Sequence, residues 1–422
     1  MVLNRYLTAI VFAVLLVFPS PSSGADSTSP PMDELKEFAP KVYLDCWRCD
    51  RDYIRTNMTF INYVRDRQNA DIHILVTIQP TGPGGNEYTL NFIGRGDFAE
   101  VHHMLTYVSN RTDSWDDTRK GMVEVLKNGL LPFLLRTPLA EYFKVEFIPK
   151  PMSSAVRDQW NYWVFSASFG GSLWGQQTQG GTSLRGNLSA NRVTPELKIR
   201  FGLSGNYNKN RYDLEDSERI LSTSESTGFS GLAVKSINDH WSAGGSLGIS
   251  SSTYNNILFG FNPALALEYN VFPYSQSTRR QLRFLYRLGY GFNSYHEETI
   301  YGKTREQVIG QSLNAAFALR EPWGNAEINL SGSHLFHDLS LNQISIRGDL
   351  NVRLIRGLSL SLNAGYSQIH NQISLPKGGA SLEEILLNRK ILATSYSYSM
   401  SVGFSYTFGS IYSNVVNPRF GR

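Results

Sequence analysis

Apolar and polar residues alternate along the C-terminal two thirds of the chain. From Tyr396 to Phe408, every even position carries an apolar side chain, whereas the odd positions carry Ser, Gly or Thr. A period of two is that of a β-strand whose two faces differ in polarity. The same alternation recurs over residues 156–409 and predicts twelve strands. Their predicted spans are 159–176, 180–192, 195–210, 218–236, 239–254, 257–272, 279–297, 300–318, 323–337, 340–355, 358–374 and 394–409.

The predicted strands are longer than the five or six residues usual in soluble sheets. Such lengths suit tilted transmembrane strands of about 9–11 residues with an extension into a loop. Tight turns such as 355–357 alternate with longer polar loops such as 375–394. In the latter loop, Gly378-Gly379 predict a break in the chain and Ser381 predicts the start of a short helix. This arrangement is typical of an outer-membrane β-barrel. We therefore predict an antiparallel transmembrane β-barrel of about 12 strands over 156–409, with a C-terminal tail over 410–422.

A soluble β-sandwich or a β-propeller is the alternative interpretation of the alternation. A sandwich turns its apolar positions inward and exposes Lys and Glu, but here the polar face is rich in Ser, Gly and Asn with isolated Arg. No propeller period is present. An even number of strands in a barrel would put both of its ends on the same side of the membrane, the periplasm.

The first 25 residues have the pattern of a secretory signal peptide. Arg5 precedes an unbroken apolar run, Ala9 to Phe18, and small residues follow at 23–25. The run is too short to span a hydrocarbon core of about 30 Å, and no lipoprotein Cys follows it. An ordinary buried helix is the alternative. We predict cleavage before Asp26, and a Ser/Pro-rich linker over 26–40.

Residues 41–150 change periodicity and predict a small α+β domain, expected in the periplasm. Ser114 is a good N-cap for the second helix, and 81–86 is a strong turn signal between two strands. The predicted order is strand 41–45, helix 46–70, strands 71–79, 87–94 and 104–109, and helix 115–135.

Cys46 and Cys49 have the spacing of a thioredoxin-like redox motif at a strand-to-helix junction. No cis-Pro loop or longer βαβ core accompanies them, so a local disulfide is the favoured interpretation. Reduced thiols, a redox centre and a zinc site that uses His102 and His103 remain alternatives. The glycine-rich segment 81–85 joins two strands and lacks the helix N-terminus that a phosphate loop uses. We therefore predict no catalytic, cofactor-binding or metal-binding residue.

Composition narrows the function classes. Only 18% of the residues are charged, and there are 36 Gly and two Cys, which excludes a disordered chain and a disulfide-rich miniprotein. The net charge of +4 is too small to predict a nucleic-acid partner. Residues 26–155 carry a net charge of −3, and residues 156–422 carry +6. The two predicted domains therefore differ in charge as well as in pattern.

Two stretches support a resemblance. LPKGGASLEEILL (375–387) and SVGFSYTFGSIYSNVVNPRF (401–420) look like recurring pieces of uncharacterised bacterial outer-membrane β-barrel proteins with an N-terminal periplasmic α/β domain. More loosely, 71–135 resembles the N-terminal α/β domain of the periplasmic protein TolB. The resemblance implies an outer-membrane location but no activity. Outer-membrane lipid and the barrel-assembly machinery are the partners expected of such a barrel, and Phe408 fits the aromatic residue that closes its last strand.

Three function hypotheses follow. A structural or envelope-assembly protein would anchor the N-terminal domain and present it to a periplasmic protein partner. A narrow, anion-preferring transport pore is the second. An outer-membrane hydrolase is the third, with His334 or His337 as the base and Ser331 or Ser333 close in sequence, although no nucleophile motif surrounds them.

Nine charged residues lie on the predicted polar face, which would line the lumen. They either plug the barrel as a charge network or line a pore. Arg347 and Asp349 stand two residues apart and are expected to meet, whereas Arg353 is expected to find Glu327 or another acid across strands. The nine are Lys198, Arg200, Glu268, Arg283, Arg287, Glu327, Arg347, Asp349 and Arg353.

Overall fold

The computed structural model describes residues 36–82, 84–144, 158–213, 219–378, 390–417 and 419. The predicted signal peptide and the predicted short helix after Ser381 lie outside the described residues.

The N-terminal domain is a five-stranded mixed sheet with two α-helices. Its strand order is β2-β1-β3-β4-β5, with β1 parallel to both of its neighbours and the other pairs antiparallel. The elements are β1 (Lys41–Asp45), α1 (Arg51–Asn57), β2 (Asn62–Tyr63), β3 (Ile72–Pro80), β4 (Asn86–Gly94), β5 (His102–Ser109) and α2 (Trp115–Leu134).

Helix α2 covers one face of this sheet. Ser114 accepts a hydrogen bond from the backbone N–H of Asp117, whose side chain bonds back to Ser114, so the predicted N-cap is a complete capping box. Leu126, Leu130 and Phe133 of α2 are fully buried with the sheet residues in one apolar core. Full burial of a Leu or Phe side chain contributes about 1.5–3 kcal/mol, so these three residues stabilise the packing of α2 on the sheet.

The predicted helix 46–70 is wrong over most of its length. Helix α1 starts after the cap Asp50 and ends at Asn57. The chain then returns to the sheet, where Asn62 bonds the carbonyls of Lys36 and Ala39. The Tyr63 hydroxyl bonds the carbonyls at the end of α1. These tertiary bonds override a helical spacing of apolar residues.

The C-terminal region is one antiparallel sheet of twelve strands in sequential order. All twelve predicted strands are present, so the predicted fold class is confirmed. They are β6 (Trp163–Gly175), β7 (Gln179–Val193), β8 (Leu197–Asp213), β9 (Arg219–Ser236), β10 (Trp241–Ser252), β11 (Ile257–Asn270), β12 (Arg280–Tyr295), β13 (Arg305–Glu321), β14 (Gly324–Leu335), β15 (Asn342–Ile355), β16 (Leu358–Ile369) and β17 (Tyr396–Tyr406).

The twelve-stranded sheet exposes apolar side chains on one face and partly covers charged side chains on the other, which is the reverse of a soluble protein. On the apolar face, Leu265 is 71% exposed and Met400 is 70% exposed. On the polar face, the side chains of Glu268 and Arg283 are 20% and 31% exposed. A soluble sandwich would bury its apolar side chains, so this pattern argues against that alternative.

The sheet is strongly curved. The loop before β11 contacts the loop before β17 through the hydrogen bonds from Asn256 to the carbonyl of Ser374 and from the Ile391 amide to the carbonyl of Tyr254. Within the described residues, β6 and β17 are not paired with each other, so closure of the barrel by a ladder between them remains a prediction. No helix in the described part of the chain is long and apolar enough to cross a membrane.

Candidate functional site: the polar face and the contact between the two domains

The strand register places all nine predicted lumen charges on one face of the sheet. The paired residues can be followed from strand to strand, from Lys198 on β8 to Arg287 on β12, so these two side chains share a face. Glu327 lies directly opposite Asp349 on the neighbouring strand, and Asp349 lies opposite Asn363, which in turn faces Ser401. The neighbouring residue Met400 therefore points to the other, apolar face.

These charges form local pairs. The Arg283 Nε lies 3.8 Å from a carboxylate oxygen of Glu268, and the Tyr274 hydroxyl donates to Glu268 at 3.0 Å. The Nη2 atom of Arg320 lies 2.6 Å from a carboxylate oxygen of Glu327. Arg320 is not among the nine predicted lumen charges.

The predicted contact between Arg347 and Asp349 is replaced by another. Asp349 accepts a hydrogen bond from the Asn363 amide. Among the described residues, Lys198, Arg200, Arg287 and Arg347 form no ion pair with a carboxylate. The polar face therefore carries unpaired positive charge.

Arg353 is paired outside the sheet. Its guanidinium donates two hydrogen bonds, of 2.8 and 2.9 Å, to the two carboxylate oxygens of Asp45 at the end of β1. The guanidinium also lies 5.2 Å from the ring centroid of Tyr43. A bidentate pair of this kind fixes orientation as well as distance. Arg353 thus joins the sheet to the N-terminal domain, whereas Glu327 pairs with Arg320.

The environment of Asp45 favours its charged form. Burial alone would raise the pKa of this carboxyl, but the interactions with His73 and Arg353 outweigh burial and hold the pKa well below its usual range. The Nε2 atom of the buried His73 lies 3.4 Å from Asp45. The Asp45–Arg353 contact between the two domains therefore depends on an ionised carboxylate.

A second contact lies at the turn between β15 and β16. The backbone N–H of Gly357 donates to the Asp66 carboxylate at 2.6 Å. Gly357 has a φ of 74°, a conformation that other residues rarely adopt. The turn is thereby shaped so that its N–H points at the N-terminal domain.

The C-terminal tail adds a short antiparallel strand to the N-terminal domain. Tyr412 pairs with Val64. The Arg65 amide donates to the Ile411 carbonyl at 2.9 Å, and the Ser413 amide donates to the Tyr63 carbonyl at 2.8 Å. The tail therefore extends the sheet beyond β2, in the manner of strand addition by a peptide.

The hairpin between β3 and β4 contacts the opposite side of the twelve-stranded sheet. A methyl group placed on Gly82 would lie 2.4 Å from the Cβ of Val193, so the two residues are in direct contact. Val193 ends β7, near one end of the strand order, whereas Arg353 lies near the other end. The N-terminal domain thus reaches across the end of the curved sheet that carries the tight turns.

Loops approach one another at the other end of the sheet. Lys377 pairs with Glu298 at 3.0 Å, and Lys390 pairs with Glu297 at 2.9 Å. Thr299, opposite Pro376 in an isolated bridge, is fully buried. The described ends of the loop between β16 and β17 therefore pack on the loop between β12 and β13.

Cys46 and Cys49 are joined in a disulfide between β1 and α1. His103, considered above as a metal ligand, contacts the carbonyl of Gly129 at 2.8 Å and stacks on Phe92. No cluster of three or more potential metal ligands occurs among the described residues.

The hydrolase candidates are not brought together. His334 contacts Gln311 at 2.7 Å and lies on the apolar face. Ser331 and Ser333 lie on the opposite face because their positions are odd, and Ser331 bonds to Ser345 at 2.6 Å. A base and a nucleophile on opposite faces of one strand cannot exchange a proton directly.

Sequence reasoning missed Asp45, Asp66 and the tail residues 411–414 as parts of a site. A strand-ending Asp and a polar tail carry no motif. The only available signal was the tail itself, because it continues past the expected last aromatic residue of the barrel.

Comparisons with known proteins add little. The chain matches no protein-family model and no curated protein. Among solved structures, it is similar to the NanC porin at 9% sequence identity and a TM-score of 0.27, over 58% of this chain and 99% of that one. A likeness at this TM-score supports no functional inference.

Proposed function

We propose that this chain is an outer-membrane β-barrel protein that anchors its N-terminal α/β domain at the periplasmic mouth of the barrel, in a structural or envelope-assembly role. The observation that carries the proposal is the three-part attachment of the domain, by Arg353 to Asp45, by Gly357 to Asp66 and by the tail strand. An anchored docking domain requires such a fixed attachment.

The membrane location rests on the apolar face. Its large side chains are more exposed than the charged side chains of the polar face, which only a nonpolar solvent favours. The signal-peptide pattern supports export. In the location test, the protein should fractionate with the outer membrane and shift in gel mobility on boiling, as folded barrels do. Recovery in the soluble periplasmic fraction would contradict the location.

A periplasmic protein partner is part of the proposal. Among the described strands, β5 lies at the edge of its sheet and pairs with β4 alone. Its outward side chains Met104 and Val108 are 58% and 52% exposed. An edge strand with apolar side chains is a surface to which another chain can pair.

Photocrosslinking in living cells tests the partner. A crosslinking amino acid at Val108 should capture one discrete protein, whereas the same group at the exposed Lys120 on α2 should not. Absence of a product at Val108, with the protein folded in the membrane, would contradict the docking role.

A narrow, anion-preferring pore is the second candidate function. The unpaired basic side chains of the polar face, Lys198, Arg200, Arg287 and Arg347, favour it because they would attract anions. The N-terminal domain at one mouth and the packed loops at the other oppose an open pore, so we rank this function second.

A further inference from the structure

A cavity of about 430 Å³ lies where the N-terminal domain meets the sheet. It is bounded by the segment after β2, by the turn between β15 and β16, and by the end of β17 with the start of the tail. Tyr43 of β1 completes the lining, so four separate parts of the chain build one pocket.

Four arginines line the cavity, and one carboxylate accompanies them. The arginines are Arg65, Arg67, Arg353 and Arg356. The carboxylate of Asp66 accepts hydrogen bonds from two backbone amides, those of Gln68 and Gly357.

Most of these arginines are not part of an ion pair. Arg353 is paired with Asp45. Within the described part of the chain, Arg65, Arg67 and Arg356 form no ion pair with a carboxylate. Burial, together with the nearby charges of Arg353 and Arg95, lowers the pKa of the Arg67 guanidinium. The carboxylate of Asp66 offsets part of this charge. Three arginines outside ion pairs against one carboxylate still leave a net positive charge in the pocket, which an anion would neutralise.

One side of the same cavity is apolar. Leu358 pairs with Tyr406, and both lie on the face that carries Met400. The Phe408 ring stacks on the Tyr406 ring with centroids 5.6 Å apart, and both rings are largely exposed. The cavity thus lies at the border between the apolar face and the N-terminal domain, where aromatic residues of membrane barrels contact the interface.

We propose that this cavity binds the phosphate of a phospholipid from the membrane leaflet next to the N-terminal domain. Arg65, Arg67 and Arg356 would hold the phosphate oxygens through charge-assisted hydrogen bonds, and Tyr406 and Phe408 would contact the acyl chains. A bound lipid would bridge the domain and the barrel. This inference rests on the proposed membrane location.

Binding to the full chain in nonionic detergent tests the site. The probes are dihexanoyl phosphatidylglycerol, inorganic phosphate and dihexanoylglycerol, which lacks the phosphate, each titrated by calorimetry. We expect the phospholipid to bind more tightly than either of the other two probes. Arg65→Gln/Arg67→Gln/Arg356→Gln should weaken phospholipid binding by about tenfold or more for each arginine that contacts the phosphate.

The matched control removes the same charge elsewhere on the domain. Arg48, Arg111 and Arg136 are exposed and do not line this cavity, so Arg48→Gln/Arg111→Gln/Arg136→Gln should bind like the original protein. Equal weakening in both triple variants would overturn the proposal. If the cavity variant does not fold, Arg356→Gln alone, in an exposed turn, should still weaken binding by about tenfold.

Two further outcomes separate the sources of phosphate. Phe408→Ala should weaken phospholipid binding and leave inorganic phosphate unaffected. Inorganic phosphate that binds as tightly as the phospholipid and displaces it would overturn the lipid assignment. A chain that inserts into vesicles but binds no phospholipid refutes this inference alone, whereas failure to insert refutes the proposed function.

Discussion

At the scale of single residues, Asp45 connects the two domains. It ends β1, contacts His73 and forms a bidentate pair with Arg353, which lies 308 residues later in the chain. Sequence reasoning predicted the strand and the charge of Arg353 but not their contact. A pair separated so widely in sequence leaves no periodic signal, because local patterns report only the face on which a residue lies.

Removing this carboxylate should loosen the domain. Asp45→Asn leaves Arg353 half-buried without its counter-charge, and we expect a loss of about 1–3 kcal/mol in the free energy of unfolding of the N-terminal domain, less than for a fully buried pair. Urea unfolding of the full chain, followed by tryptophan fluorescence, measures it. Asp97→Asn, at an exposed carboxylate, is the control and should change little. A loss of the same size in both variants would contradict the assigned role.

The same pair predicts the pH dependence of stability. The pKa of Asp45 is lower in the folded than in the unfolded chain, so its contribution is fully present above the unfolded pKa, about 3.9. It is lost as the pH falls through the folded pKa. We expect the stability difference between the original protein and Asp45→Asn to be constant near pH 6–7 and to shrink below about pH 4. A difference that grows in acid would contradict this sign.

The disulfide gives a second prediction at the residue scale. Cys46 is buried, and exported proteins meet an oxidising compartment. We expect Cys46 and Cys49 of the exported protein to resist maleimide labelling until a reductant is added. Labelling of both thiols in the native, unreduced protein would show that the bond does not form in the cell.

At the scale of elements, period-two alternation predicted all twelve C-terminal strands, whereas the helical spacing over 46–70 predicted a helix far longer than the one present. A strand of ten or more alternating residues repeats its signal many times, so small irregularities do not obscure it. The segment 46–70 holds one short helix, one short strand and the 3-10 turn Arg67–Asn69. Asn62 bonds to the carbonyl of Lys36, outside the segment, and the Tyr63 hydroxyl bonds back to the end of the helix. Such contacts are invisible to a local pattern.

The register of β17 predicts opposite effects at adjacent positions. Met400 lies on the apolar face and Ser401 on the polar face. Met400→Arg places a charge at bilayer depth and should cost about 2–4 kcal/mol. Ser401→Arg should cost clearly less. Urea unfolding in lipid vesicles compares the two, and equal losses would contradict the register.

The tail strand can be tested by proline substitutions at neighbouring positions. The Ser413 amide donates to the Tyr63 carbonyl, whereas the Tyr412 amide donates to the Ser410 hydroxyl within the tail. Ser413→Pro removes one inter-domain hydrogen bond and should cost about 1 kcal/mol or more. Tyr412→Pro should cost less. Limited proteolysis between residues 410 and 417 reports detachment, and faster cleavage in Tyr412→Pro than in Ser413→Pro would contradict the pairing.

At the scale of the whole molecule, other parts of the chain contact the curved sheet at both ends of its strands. The N-terminal domain contacts β7 at Val193 and β15 at Arg353, near opposite ends of the strand order. Loops meet at the opposite mouth through the Lys377–Glu298 and Lys390–Glu297 pairs. The sequence predicted the separate domains and the face that bears the charges. It could not predict that the domain contacts strands near both ends of the strand order, because that arrangement depends on the curvature of the sheet.

Conductance across a planar bilayer decides between the anchoring role and the pore. We expect the full chain to show no single-channel steps, and Asp45→Asn/Ser413→Pro to remain silent, because the loop contacts at the far end remain and local charge pairs occupy the polar face. Steps in the double variant alone would instead make the N-terminal domain a gate. In that case Asp349→Asn should strengthen anion preference, since it removes one of the two adjacent carboxylates of the wall while Arg320 still neutralises Glu327. Steps in the unmodified chain would contradict the anchoring role and favour transport.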